Sequence, residues 1–401
     1  MHLIFDTDEA FSFETLRTSA YIPYGGADIG EVISTADRIT PGDTESWHRE
    51  WRALADRIAA IADGCAAGGH QVSARGAYLR ASNYYRTAEF FLRDDPTNDP
   101  RVSDASGRAV DAFRSAMGRQ DEWTQVGIPY EGVELSAYYL NVTGDEPGPT
   151  LLAHGGFDST CEEMYFVVGE AARRYGWNCL IFEGGGQGAA LRKDHLAMRH
   201  DWEAFVTPAV DVALKLPGVD PDRIALMGMS LGGYLGPRAV AFEPRIAACI
   251  AYDGIFNING IVNLAGGSAA GSPGQDADPA QQLAALQGLI DRRTELPTQQ
   301  RWVLSNALWV FGADTAEELA AEVVKYDLAG VADKITCPTL VCEGENDQFA
   351  PGQASKLYDA LQCPKTFIRF TAAEGAGEHC QEGALNLFHQ RMFDWLDDTL
   401  R

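Results

Sequence analysis

Ile224-Ala225-Leu226-Met227-Gly228-Met229-Ser230-Leu231-Gly232 runs from an unbroken apolar segment into a serine framed by glycines, and residues 234–242 beyond it are patterned as a helix. An apolar strand, a G-x-S-x-G turn and a helix in that order form a nucleophile elbow. The serine of an elbow sits on a sharp, strained turn, where a side chain at Gly228 or Gly232 would collide with the neighbouring strand and helix. The pentapeptide alone is common. Its setting between strand and helix is what points to Ser230 as a nucleophile.

Outward from that turn, apolar runs at 150–154, 178–183, 223–229, 246–253, 339–344 and 366–371 alternate with helical stretches. Strands separated by helices predict a mostly parallel sheet with both faces covered. Residues 123–142 instead alternate as strands, with a turn at Glu131-Gly132. Upstream the chain reads as helical. Residues 45–63 put Trp47, Trp51, Leu54, Ile58 and Ile61 on one stripe, Asp43 and Thr44 are candidate caps, and further helices are predicted over about 73–92 and 103–118. Residues 255–330 break the rhythm with a Gly/Ser/Ala-rich stretch at 264–275, then helices over about 279–292 and 299–324. This is too long for a simple connection. Lying between the sixth and seventh strands, it reads as a lid over the site, with a purely structural insertion as the alternative. The expected fold class is α/β, an α/β-hydrolase core with a mostly parallel sheet. A helical N-terminal cap would occupy 1–122, and a catalytic domain with its lid insertion would occupy 123–401.

A serine hydroxyl is a weak nucleophile and needs a base, and in such a core the partners follow in the order serine, acid, histidine. Only His379 and His389 lie beyond Ser230. His379 falls in a Gly-rich loop after the last strand, whereas His389 falls within the terminal helix and reads as a surface or packing residue. The acid is expected at Asp347, in the turn after strand 339–344, with Glu345 as its rival. Developing negative charge needs donors placed in advance. The backbone N–H of Leu231 is one, and Gly156 or Phe157, in the His154-Gly155-Gly156-Phe157 motif, supplies the second. His154 itself reads as structural.

The remaining composition narrows the function. The 401 residues carry 32 basic and 57 acidic side chains, a net charge of −25. Such a surface repels nucleic acid and anionic membranes. No apolar run reaches membrane-spanning length, and the acidic N-terminus does not resemble a signal peptide, so a cytoplasmic protein acting on a small molecule is expected. Eight scattered cysteines without a C-x-x-C pair read as reduced thiols. Residues 184–189, Gly-Gly-Gly-Gln-Gly-Ala, fit a dinucleotide fingerprint superficially. They follow a strand of this sheet with no clear helix after them, and read instead as a turn beneath the site. Neither a cofactor nor a metal is implied.

With these residues in place the chain resembles the α/β-hydrolase branch of the 2,6-dihydroxypseudooxynicotine hydrolases and of the fungal hydrolases that shorten pigment polyketides. The resemblance rests on Ala74-Arg75-Gly76-Ala77-Tyr78-Leu79-Arg80-Ala81-Ser82-Asn83-Tyr84-Tyr85-Arg86, the elbow at Ser230, Gly344-Glu345-Asn346-Asp347 and Glu378-His379-Cys380. It implies a helical cap, a homodimer and hydrolysis of a carbon–carbon bond beside a ketone, a reaction whose leaving carbon must be protonated by a general acid. It also implies an extra carboxylate after the sixth strand. Residues 254–275 contain neither Asp nor Glu, which leaves Asp253 as the nearby acid. Tyr84 and Arg86 are candidate substrate contacts from the cap, with packing as the alternative for both and for Tyr85; Tyr252 and Phe157 are pocket wall or packing. Ester hydrolysis by the same residues, acyl transfer, cyclisation or acyl elimination, and a non-catalytic binding protein complete the alternatives.

Overall fold

The structure is a computed structural model that describes residues 4–258 and 279–400. The Gly/Ser/Ala-rich stretch at 264–275 lies outside the described residues.

The chain opens with five helices: α1 (Glu9–Ala20), α2 (Ile29–Ala36), α3 (Thr44–Ala67), α4 (Gln71–Glu89) and α5 (Pro100–Met117). Asp43 caps α3 by accepting from the N–H groups of Glu45 and Ser46, as its position before the apolar stripe predicts. Trp47, Trp51, Leu54 and Ile58 are buried, whereas Ile61, at the end of the stripe, is 46% exposed.

Among the described residues eight strands follow: β1 (Trp123–Tyr130), β2 (Val133–Leu140), β3 (Gly148–His154), β4 (Asn178–Phe182), β5 (Val219–Met229), β6 (Ala248–Tyr252), β7 (Thr339–Gly344) and β8 (Lys365–Phe370). They form one sheet in the order β1-β2-β4-β3-β5-β6-β7-β8. β1 and β2 form a hairpin, β2 is antiparallel to β4, and the other pairs are parallel. Glu131 and Gly132 both have positive φ, as a tight hairpin turn requires. β4 and β6 are buried at every position, the burial expected of central strands covered on both faces.

Between β6 and β7 lie helices Pro279–Asp291, Thr298–Phe311 and Ala316–Val323. The single helix expected over 299–324 is therefore two. Gly312 ends the first in a left-handed conformation (φ 64°), and Thr315 opens the second with a capping box to Glu318. The 298–311 helix is tied to the N-terminal helices: Trp302 stacks on Phe90 at 4.6 Å and donates to its carbonyl at 2.9 Å, and Thr298 donates to Asp8 at 2.7 Å. Among the described residues, no helix is long and apolar enough to cross a membrane.

Candidate active site

Ser230 follows β5 with a left-handed backbone (φ 61°), a conformation that costs a non-glycine residue energy. Its N–H donates to the Tyr252 carbonyl on β6 (2.8 Å), and its carbonyl accepts from Gly233 (2.7 Å). A Cβ on Gly228 would lie 2.1 Å from the Gly232 carbonyl oxygen, so the turn excludes any side chain there.

His379 comes from the loop after β8, and its Nε2 lies 2.9 Å from Ser230 Oγ. Phe349 packs edge-on to the imidazole at 4.8 Å. On the other side of the ring, Nδ1 lies 2.9 Å from Asp347 Oδ1 and 3.2 Å from Asp253 Oδ2. It makes a well-directed hydrogen bond to neither, sitting between two carboxylates. Asp347 is held by the N–H groups of Phe349 (2.8 Å) and Ala350 (3.2 Å). Asp253 accepts from the Cys380 N–H and from Gln381 Nε2 (3.0 Å). Burial pushes the Asp347 carboxyl up, but His379 and the two amides outweigh it and hold the group below the usual range. Burial pushes His379 down, and the Asp347 charge, with contacts to both carboxylates, holds it well above an ordinary imidazole. Asp253, Cys380 and Gln381 all have positive φ, like Ser230, so the uncommon backbone conformations gather around this histidine.

The loop after β3 lies directly against the serine turn. A Cβ on Gly156 would come within 2.6 Å of the Leu231 amide nitrogen. Of the two expected donors, the Gly156 N–H is already engaged, donating to Ser159 Oγ at 3.1 Å. Gln187, from the glycine-rich turn, donates to the carbonyls of Gly155 (2.8 Å) and Gly156 (3.0 Å). That turn braces the loop from below, as expected, although a five-residue helix, Gly188–Arg192, does open after it.

A cavity of about 540 Å³ opens onto Ser230 and His379. Phe13, Phe90, Phe157, Trp302, Val303 and Phe349 give it apolar walls, while Glu14, Arg17, Asp158 and Glu382 form a corner of ionisable side chains. Arg17 binds Asp158 (2.7 Å) and, through two nitrogens, Glu163 (2.9 and 2.8 Å). Burial outweighs the neighbouring arginines and raises Glu14 to about 7.

Four candidate residues, Tyr84, Arg86, Tyr252 and the auxiliary acid Asp253, do not line the cavity. Tyr84 faces away from the cavity: its hydroxyl donates to Glu31 (2.8 Å) and accepts from the Asp28 N–H (2.9 Å). Arg86 pairs with Glu163 at 3.4 Å behind the cavity wall. Tyr252 stacks on Phe388 at 3.6 Å and donates to the Cys380 carbonyl. Asp253 lies behind the histidine, not in the cavity, so it cannot reach a leaving group. Of the rival residues, Glu345 accepts from the Ala372 N–H (2.8 Å) away from the imidazole, and His389 is buried between Tyr24 and the Val167 carbonyl. His154 bonds the Gly155 carbonyl (2.9 Å) and burial lowers it to about 4. Phe13, Glu14, Arg17, Asp158 and Glu382 are cavity residues the sequence reading missed. Asp253, His379 and Cys380 bring donor atoms within 4.8 Å of one another. Both Asp253 oxygens already accept hydrogen bonds, and burial keeps the Cys380 thiol protonated, so the trio is a hydrogen-bonded corner, not a ligand set.

Residues 150–391 match the model of the alpha/beta hydrolase family, and the chain belongs to that family. It is 34% identical to the hydrolyase poxO of Penicillium oxalicum over 100% of this chain and 99% of the relative. It is 36% identical to the 20-hydroxy-prefusarin hydrolase FUS2 of Gibberella moniliformis over 100% and 98%. Among solved structures it is similar to 2,6-dihydroxy-pseudo-oxynicotine hydrolase, with a TM-score of 0.73, 23% identity and 95% coverage of each chain. That likeness bears on the fold, including its N-terminal helices.

Proposed function

We propose that the chain is a serine hydrolase that removes an acyl group from a small, polyketide-like molecule by hydrolysing a carbon–carbon bond beside a ketone. The observation that carries the reading is the 2.9 Å approach of His379 Nε2 to Ser230 Oγ, at the mouth of a largely apolar cavity. In this reading Ser230 adds to the ketone carbon while His379 takes its proton. Asp347 and Asp253 stabilise the imidazolium that forms. The N–H groups of Leu231 and Phe157 receive the oxyanion, where fixed donors act without reorganisation. The bond to the leaving carbon then breaks, and water releases the acyl group from Ser230. The named activity of the fungal relative on 20-hydroxy-prefusarin supports a substrate of this kind.

The test compares wild type with Ser230→Ala in ¹⁸O-water, using β-diketones, acyl-phenols and aryl esters, with products read by mass spectrometry. Label in a released acid, lost by about 10³-fold or more in Ser230→Ala, is expected with the diketones. Label from esters alone would make the enzyme a carboxylesterase. Product formed without Ser230 would move it to acyl elimination or cyclisation.

A further inference from the structure

Hydrolysis of a carbon–carbon bond leaves a carbanion or enolate that must be protonated, and Asp253 is not in the cavity to do it. We infer that Glu382 is the acid that delivers this proton. The inference rests on the proposed ketone hydrolysis and assigns its missing group.

Glu382 lines the same cavity as Ser230 and His379. It is 1% exposed, and among the described residues neither carboxyl oxygen has a hydrogen-bond partner. An unpaired carboxylate is costly to bury, so such a group holds its proton. Burial does raise it well above the ordinary carboxylate range. A buried carboxylic acid with an unused O–H is a donor awaiting an acceptor, and the cavity is where a ligand would supply one. The chain geometry links it to the base. Glu382 is three residues past His379, and its N–H donates to the His379 carbonyl at 3.3 Å. The positive φ of Cys380 and Gln381 folds the intervening turn.

The other cavity carboxyls are less suited. Asp158 is paired with Arg17 at 2.7 Å and held below its usual range despite burial. Glu14, although also raised by burial, already has Arg17 on one oxygen at 3.5 Å, whereas both Glu382 oxygens are unpaired. Beside Tyr21, Tyr252 and Cys380, which burial keeps neutral and which feel its charge, the charged groups that act on Glu382 are Glu14 and Arg17 of α1, Arg86 of α4, and Glu163 of the short helix Cys161–Met164. They comprise two cations and two acids, of which Glu163 is already engaged by Arg17.

Ser230 Oγ bonds to the carbonyl carbon and its proton passes to His379. When the carbon–carbon bond breaks, its electron pair goes to the leaving carbon, which takes the Glu382 proton. The imidazolium proton then returns through solvent to the Glu382 carboxylate. Neutral His379 next activates water, which adds to the acyl carbon. His379 finally returns that proton to Ser230, and a carboxylic acid leaves.

The experiment compares wild type and Glu382→Gln on a β-diketone and on 4-nitrophenyl acetate, whose phenolate leaves without a proton. Glutamine keeps the volume and the neutral charge, and its fold is checked by thermal unfolding. The expected result is a fall in kcat of about 10²-fold or more on the diketone, with ester kcat within about threefold of wild type. With a 2,2-dimethyl-β-diketone, which has no acidic proton between its carbonyls, the wild-type rate falls at high pH as Glu382 ionises, and the ester rate does not. Should Glu382→Gln misfold, this pH contrast decides. Equal losses on both substrates, or an unchanged diketone rate, would overturn Glu382 as the donor while leaving ketone hydrolysis standing. Wild type that cleaves the ester but no diketone would overturn both.

Discussion

Helices α1 and α4 belong to the same N-terminal helical region, but α1 supplies three side chains to the cavity and α4 only the residue that caps its end, Phe90. The α4 segment carries the conspicuous side chains, Arg80, Tyr84, Tyr85 and Arg86, and they are spent within the protein: Arg80 and Tyr84 on Glu31, Tyr85 on Asp56, Arg86 on Glu163. The α1 helix looks unremarkable in sequence and supplies Phe13, Glu14 and Arg17 to the wall facing Ser230. A segment dense in aromatic and basic residues marks where a cap is held together as readily as where it meets a ligand. Four substitutions probe this division of labour.

The largest effect is expected from Arg17→Met. Arg17 is the cation shared by Glu14, Asp158 and Glu163, and its removal leaves Glu14 and Asp158 without their direct ion pair, while Glu163 keeps Arg86. Breaking such a pair costs about 3–5 kcal/mol, visible as a lower urea midpoint. A midpoint near that of wild type would mean the cluster relaxes by protonation.

Glu14→Gln should act in the opposite direction and only at higher pH. Glu14 titrates near 7 in the folded protein, against an ordinary 4.5, because burial disfavours its charge. Between those values the unfolded chain loses this proton and the folded chain keeps it, so stability falls as pH rises through the window. Glutamine removes the penalty. Relative to wild type, the variant should gain about 1–3 kcal/mol at pH 8 and nothing at pH 4, measured by denaturation at both. A pH-independent difference would show that Glu14 does not titrate there.

Phe13→Ala removes a ring that packs 5.5 Å from Phe349 and 6.5 Å from His379. Loss of that apolar wall should lower kcat/KM for long acyl substrates about tenfold, or roughly 1.4 kcal/mol of transition-state contact. Acetyl substrates, too short to reach it, should be little affected. Equal losses for both would assign Phe13 to placing His379 instead of binding substrate.

The two helices also show what a sequence can and cannot say. Ser230 and His379 were legible because their signals are local: a glycine-framed turn between strand and helix, and a histidine in a glycine-rich loop after the last strand. The α3 stripe was legible because one face is buried and the other is not. In α1, ten of the twelve residues are buried, so there is no polar face to give a 3.6-residue rhythm. Its Glu14 and Arg17 also interrupt any apolar run. The available signal was Asp8, whose side chain accepts from the Phe11 N–H at 3.0 Å, a cap three residues ahead. Asp253 and Glu382 were illegible for another reason. Whether a carboxyl ends behind His379 or in front of Ser230 depends on left-handed residues at 253, 380 and 381, where no glycine announces the turn.

The smallest effect, and the sharpest control on the comparison, is expected from Tyr84→Phe. The Tyr84 hydroxyl bridges Glu31 and the Asp28 N–H at the start of α2. Removing it leaves the amide and the carboxylate to water, since Glu31 keeps Arg80 at 3.0 Å. The cost should be about 1 kcal/mol of stability, with kcat/KM unchanged on diketones and esters alike. The ring itself stays in place against Trp51 at 5.8 Å, so the packing of α3 on α4 is preserved. If Tyr84→Phe lowered turnover without lowering stability, α4 would communicate with the cavity through α2, and the two helices would not divide binding from support as their contacts indicate.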